Sequence, residues 1–180
     1  MICKMFIWVG SVIRAHACAA GAANSTAEKE ALGRSKGGFG CKVHALCDAF
    51  GMPLKFILTG GQEAECKQAI PLLENMKASA VLADKAYDTN ALRVWLESRK
   101  IKAVIPPKSN RIEEIECDYW HYKERHAIEC LFGKLKHYRR IATRYEKKPL
   151  ITWACCHFPL RFYGYETSTE PGNQLILFDF

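Results

Sequence analysis

The strongest constraint on this chain is a change of hydrophobic period at Gly60-Gly61. Before that point the apolar residues have strand character. Residues 5–13 are rich in β-branched and aromatic side chains. Phe39, Cys41, Val43, Ala45 and Cys47 alternate with more polar neighbours. The turn residues Asp48-Ala49-Phe50-Gly51-Met52-Pro53 then lead into Leu54 to Leu58. This predicts adjacent, antiparallel strands over 5–13, 39–48 and 54–58, with a flexible basic loop from Ala15 to Gly40. Beyond Gly61 the spacing is helical. Ala64, Ile70, Leu73 and Met76 fit a helix before a short strand, Ala80 to Ala83, which ends at Asp84. Asp88 or Thr89 can cap a helix running to about Arg99. Ala103-Val104-Ile105 makes another strand, stopped by Pro106-Pro107, and a polar loop leads to the longest helix candidate, Tyr119 to about Thr143. A meander followed by strand–helix–strand–helix predicts an α/β fold, a mixed sheet with flanking helices.

At 180 residues the chain fits one domain with a substantial core. The net charge of +7 is concentrated: seven Lys and Arg residues between 134 and 148, against Glu146, leave +6 there. Such a run suits a polyanion. The nine cysteines are odd in number and contain no CxxC pair, so they read as reduced thiols, mostly core residues, in a cytoplasmic protein. Lys4 and the apolar run Met5 to Val9 imitate a signal peptide. Gly10, Ser11 and Arg14 interrupt the run, and unpaired cysteines suit export badly. No stretch approaches the ~20 apolar residues that span a membrane.

The candidate long helix has two faces. Ala127, Ile128, Leu131, Leu135, Tyr138 and Ala142 fall on one side and predict its buried face. Tyr122, Arg125, Glu129 and Lys136 share a stripe about 60° wide on a regular helix. A solvated surface with an Arg125–Glu129 pair, contributing about 0.3–0.5 kcal/mol, would produce the same stripe. Its position beside the buried face and the basic run favour a functional cleft.

The spacing of these four residues resembles the Tyr-Arg-Glu-Lys signature of insertion-sequence transposases, in all four residue types and all three gaps. Arg139-Arg140-Ile141-Ala142-Thr143-Arg144-Tyr145, Gly33-Arg34-Ser35, His44-Ala45-Leu46, Phe56 to Gly61 and Val104-Ile105-Pro106-Pro107 look like the IS-five type of DDE transposase. The resemblance covers roughly residues 11–148. It implies an RNase H-like fold, with an antiparallel three-strand meander followed by parallel strands. The function it implies is metal-dependent cleavage and joining of DNA ends. Leu82-Ala83-Asp84-Lys85-Ala86-Tyr87-Asp88 matches the segment carrying the family's second catalytic aspartate, with Ala86 where glycine is common.

By this resemblance Asp84 and Glu129 are catalytic metal ligands, and Tyr122, Arg125, Lys136, Arg139 and Arg140 contact DNA. Carboxylates suit the chemistry because phosphoryl transfer must activate an attacking oxygen and stabilise a leaving one. Two Mg²⁺ ions about 3.5–4 Å apart do both, and Mn²⁺ can substitute. The partners implied are the element's DNA ends and the target DNA in a bacterial nucleoid, without a membrane. Assembly of several copies is left open. The first aspartate should stand five residues before the arginine of an Asp-Ser-Thr/Ser-x-x-Arg-Ala-His motif. Ser11-Val12-Ile13-Arg14-Ala15-His16 keeps its later part, but Val9 and Gly10 occupy the Asp-Ser positions, and no carboxylate precedes Glu28. A defective catalytic core over 1–148, starting near the first catalytic strand, is therefore expected. Over 149–180 a divergent, disordered segment is expected, with Thr167 to Gln174 linker-like.

Two rivals keep separate signatures. Cys117, His121, His126 and Cys130 have zinc-like spacings, but a continuous helix would turn Cys117 and His126 to opposite sides. A DNA-binding remnant without catalysis would use Lys108, Arg111 and the 134–148 run, with Tyr138 and Tyr145 interleaved.

Overall fold

In the computed structural model, which describes residues 5–21, 25–26 and 29–162, the central parallel pairing, of 5–7 with 80–82, is made by strongly apolar segments. Strand β1 is Met5–Ala15, β5 is Ala80–Leu82 and β6 is Lys102–Val104. Phe6, Ile7, Trp8 and Val9 are buried in succession, as are Ala80 to Ala83. Continuous burial rather than alternation is expected where both faces of a parallel sheet are covered. The remaining strands are β2 (Gly33–Ser35), β3 (Gly38–Asp48), β4 (Pro53–Gly60) and β7 (Thr143–Arg144). The seven-stranded sheet has the order β2-β3-β1-β5-β6, with β4 pairing β3 and β7 pairing β1. It is mixed: β1 runs parallel to β5 and β7, and β2 antiparallel to β3. This is the α/β arrangement expected of an RNase H-like chain.

The helices are α1 (Ala69–Leu73), α2 (Asn90–Ser98), α3 (Tyr119–Tyr122), α4 (His126–Lys136), α5 (Arg139–Ala142) and α6 (Pro149–Phe162). Two compact units emerge. Among the described residues, one comprises 5–9, 45–54 and 64–131; the other comprises 10–21, 25–26, 29–44, 55–63 and 132–162.

In the first unit, Thr89 Oγ1 accepts from Leu92 N at 3.3 Å and caps α2. Asp48 is a turn residue: its Oδ1 accepts from Phe50 N and Met52 N, both at 2.9 Å. Gly51 completes that turn at φ +79, a conformation that favours glycine. In the second unit, a Cβ on Gly40 would lie 2.3 Å from the Ile13 carbonyl oxygen, so only glycine lets β3 pass β1 this closely. Arg144 is fully buried there and donates to the carbonyls of Ala31 (3.2 Å), Glu146 (2.8 Å) and Lys147 (2.9 Å).

Four expectations change. The basic loop contains order, because Gly33–Ser35 pairs with Gly38–Gly40 as a short hairpin arm. The long helix from Tyr119 is broken twice. Residues Lys123–Arg125 tighten into a 3-10 turn, and Tyr138 is extended at the start of α5. Consequently Ile128, Leu131 and Leu135 are buried as expected, whereas Tyr138 and Ala142 are exposed. Residues 149–162 are helical rather than irregular, while Thr167 to Gln174 lie outside the described residues. The cysteines are also less uniformly internal: Cys41, Cys47 and Cys156 are buried, but Cys18 and Cys130 are exposed.

Candidate functional site

Asp84 stands two residues past the end of β5 and keeps an extended backbone (φ −77, ψ 171). Its Oδ1 accepts from Ala86 N at 2.8 Å and so starts the 3-10 turn Lys85–Tyr87. The β1–β5 register pairs Met5 with Ala80, Phe6 with Val81 and Ile7 with Leu82. Val9 and Asp84 each stand two residues beyond that last pair, Asp84 already past the end of β5. Position 9 presents a hydrocarbon side chain. Next to Val9 in the chain, Trp8 stacks on Tyr87 with ring centroids 5.5 Å apart. Both rings are fully buried, and neither the Trp8 Nε1 nor the Tyr87 hydroxyl has a hydrogen-bond partner. Burial raises the Tyr87 phenol well above its usual range, and the charges of Glu65 and Asp84 push the same way.

Glu129 lies in the same compact unit, on α4. The preceding 3-10 turn explains the local arrangement, because residues i and i+3 eclipse in that geometry. The Arg125 guanidinium consequently sits over the Tyr122 ring, 5.6 Å from its centroid. One helical turn on, Arg125 pairs with the Glu129 carboxylate. Burial raises the Tyr122 phenol pKa; Arg125 opposes that shift and the Asp84 charge adds to it. Tyr122, Arg125 and Glu129 thus form a chain of direct contacts.

Lys136 ends α4, and Arg139 and Arg140 open α5; all three are exposed and belong to the second unit. The break at His137-Tyr138 removes Arg139 and Arg140 from any regular continuation of the α4 stripe. Arg140 also approaches Glu146 at 3.4 Å.

One cation of the non-catalytic reading, Arg111, is tied into the fold instead. Arg111 is bound to Asp88 (Nε–Oδ2 3.0 Å) and Asn90 (2.7 Å). Asp88 is the centre of that cluster: it is buried, and it also accepts from Arg93 Nε at 2.7 Å and Lys108 N at 2.8 Å. Burial opposes its charge, but hydrogen bonds from Arg111, the Lys108 backbone and Arg93 prevail and hold its pKa at about 2. Sequence reading treated Asp88 only as a possible helix cap. Its partners come from residues 93, 108 and 111, which periodicity does not connect.

The zinc reading finds no site. Among the described residues no three His, Cys, Asp or Glu side chains gather as metal ligands. His121 is held by Asp118 at 2.6 Å, and Cys130 is 3.1 Å from His126.

The family described as Transposase DDE domain matches residues 20–152. The chain belongs to this family. Over 108 residues it is 46% identical to the transposase assigned to insertion sequence element IS6501 of Brucella ovis, covering 59% of this chain and 83% of that protein. It is 30% identical over 134 residues to the one assigned to IS402 of Burkholderia cepacia, covering 65% and 61% respectively. The IS1106 transposase of Neisseria meningitidis serogroup B is 34% identical over 102 residues, covering 53% of this chain and 35% of its own length. The chain therefore spans less than two thirds of the last two relatives.

DDE transposases generally depend on divalent metal ions. Among the described residues no helix is long and apolar enough to cross a membrane.

Proposed function

We propose that this chain is the DNA-binding catalytic core of an insertion-sequence transposase whose strand cleavage and transfer are crippled by Val9. The observation that supports this reading is the β1–β5 register, whose last pair, Ile7 with Leu82, stands two residues before Val9 and two before Asp84. Asp84 and Glu129 are the remaining metal ligands, for Mg²⁺ with Mn²⁺ as a substitute. Tyr122 and Arg125 hold DNA beside Glu129, and Lys136, Arg139 and Arg140 contribute phosphate contacts. Its substrates are the ends of a mobile element and target DNA, encountered in the bacterial cytoplasm. Loss of a carboxylate from a shared dication site weakens both cations, because it removes a ligand and leaves their mutual repulsion less screened. DNA binding depends on cations elsewhere in the chain and survives that loss.

Relaxation of supercoiled plasmid in Mg²⁺ or Mn²⁺ tests the proposal. The unaltered chain is expected to nick at background. Val9→Asp is expected to raise nicking at least about 10-fold, in line with restoring a transition-state interaction of ~1.4 kcal/mol. Adding Glu129→Gln should return it to background. Robust nicking by the unaltered chain, or a well-folded Val9→Asp variant that remains at background, would overturn the assignment of position 9.

A further inference from the structure

Helix α5 is a single turn, about 6 Å long, whereas α6 runs for about 21 Å. The short helix buries Ile141 but cannot cover its longer neighbour. A cavity of about 420 Å³ is left where they meet, lined by Tyr138, Ile141, Ile151 and Ala154, and also by Arg139 and Arg140. That volume lies within the ligand-sized range of about 300–1,000 Å³. The wall is largely apolar and opens to water: Leu150 beside it is 58% exposed and Ile151 43%. A contiguous apolar surface of this kind, flanked by charge, marks a place where another segment packs. The charge is positive. Arg139 is exposed, and Arg140 meets Glu146 only at 3.4 Å.

We propose that the α5–α6 cavity is the docking site for residues 175–180 of the same chain, with their apolar side chains in the cavity and Asp179 against Arg139. Residues 163–180 lie outside the described ones, and their sequence fits the cavity in three ways. Leu175, Ile176, Leu177, Phe178 and Phe180 make a short apolar run that matches the apolar wall. Glu166, Glu170 and Asp179 make 163–180 acidic, with no Lys or Arg among them, opposite two arginines. The reach is also sufficient. The way back along α6 from Phe162 to Cys155 is about 10 Å. The chain from 162 to 175 can extend over about 40 Å. Tethering at that range holds the run at an effective concentration on the order of mM, so weak contacts suffice to keep it seated. This contact is independent of DNA binding and of the metal site.

Photo-crosslinking of the full chain tests the contact. Phe178 is replaced by benzoylphenylalanine, the protein is irradiated, and the joined peptides are identified by mass spectrometry. The expected product is an intrachain link to the peptides carrying residues 138–142 or 150–155, with a yield unchanged on dilution. Ala154→Glu, at an exposed position of α6, should remove that link while leaving the circular dichroism spectrum unchanged. Arg139→Glu should lower the yield about two- to five-fold, the range of one exposed ion pair, and adding Asp179→Arg should restore it. A second measurement needs no label. In the full chain, Leu177→Asp with Phe178→Asp should raise the fluorescence of the apolar dye ANS several-fold at unchanged helicity, because the cavity is uncovered. Links scattered over the chain, or insensitive to Ala154→Glu, would overturn the proposal. Links that form only between molecules and fade on dilution would assign the cavity to a second copy and equally overturn it. So would ANS fluorescence that does not change in the double variant.

Discussion

Asp88 shows how one residue can organise a region without taking part in chemistry. It is buried between Arg93 and Arg111 and also accepts from the Lys108 backbone. Asp88→Asn would keep the shape but leave two cations undercompensated. A loss of about 3 kcal/mol in urea unfolding at pH 7 is expected, at the low end for breaking a buried pair. Its folded pKa of about 2 lies below the ordinary value of 3.8. The carboxylate therefore stabilises the fold fully above about pH 4 and loses that contribution as pH falls through about 2. Repeating the urea titration at pH 3 should shrink the difference between the unaltered protein and the variant. An equal difference at both pH values would show that shape, rather than charge, makes Asp88 valuable.

At the scale of elements, β3 and β4 share a second buried titratable group. His44 of β3 is fully buried, and its Nε2 lies 2.8 Å from Thr59 Oγ1 of β4. Burial, with the Lys42 charge adding to it, lowers its pKa to about 4 from 6.5. A depressed histidine pKa means that the unfolded chain takes up the proton first. Stability is unaffected above about pH 6.5 and falls as pH drops from there to about 4, by on the order of 3 kcal/mol. His44→Gln should flatten that window in a series of thermal melts. A melting temperature that still falls equally between pH 6.5 and 4 would assign the acid sensitivity to other groups. The helical elements carry a related lesson. The 3-10 turn before α4 brings Arg125 over Tyr122, so a departure from regular helix helps to build the candidate site.

For the molecule as a whole, the net charge of +7 overstates what DNA can meet. Arg144 is spent on three backbone carbonyls, and Arg140 is shared with Glu146. About four phosphate contacts would give a slope of log K against log salt near −3 to −4 for duplex DNA. Lys136→Ala or Arg139→Ala should each flatten the slope by about 0.9. Arg144→Ala should instead lower stability by about 1–3 kcal/mol, because it strands the buried Ala31 carbonyl. Equilibrium binding between 50 and 200 mM salt, roughly the range over which such contacts are resolved, separates the two kinds of arginine. A flat salt dependence would eliminate the phosphate-contact role.

Much of this was written in the order of residues along the chain. The apolar runs at 5–13 and 80–83, short and bounded by polar or turn residues, suit strands covered on both faces over Phe6 to Val9 and Ala80 to Ala83. The Tyr122-Arg125-Glu129-Lys136 spacing and the Asp84 segment point to a DDE transposase, the family to which the chain belongs. Tertiary structure decided what local periodicity cannot encode. It decided that the 119–143 helix would break, because α5 buries Ile141 after an extended Tyr138. It decided which cations would be consumed: Arg93 and Arg111 by Asp88, and Arg144 by carbonyls from residues 31, 146 and 147. A charge written in a sequence is only a charge. Whether it faces a phosphate or a buried carbonyl depends on desolvation and on partners that meet only when the chain folds.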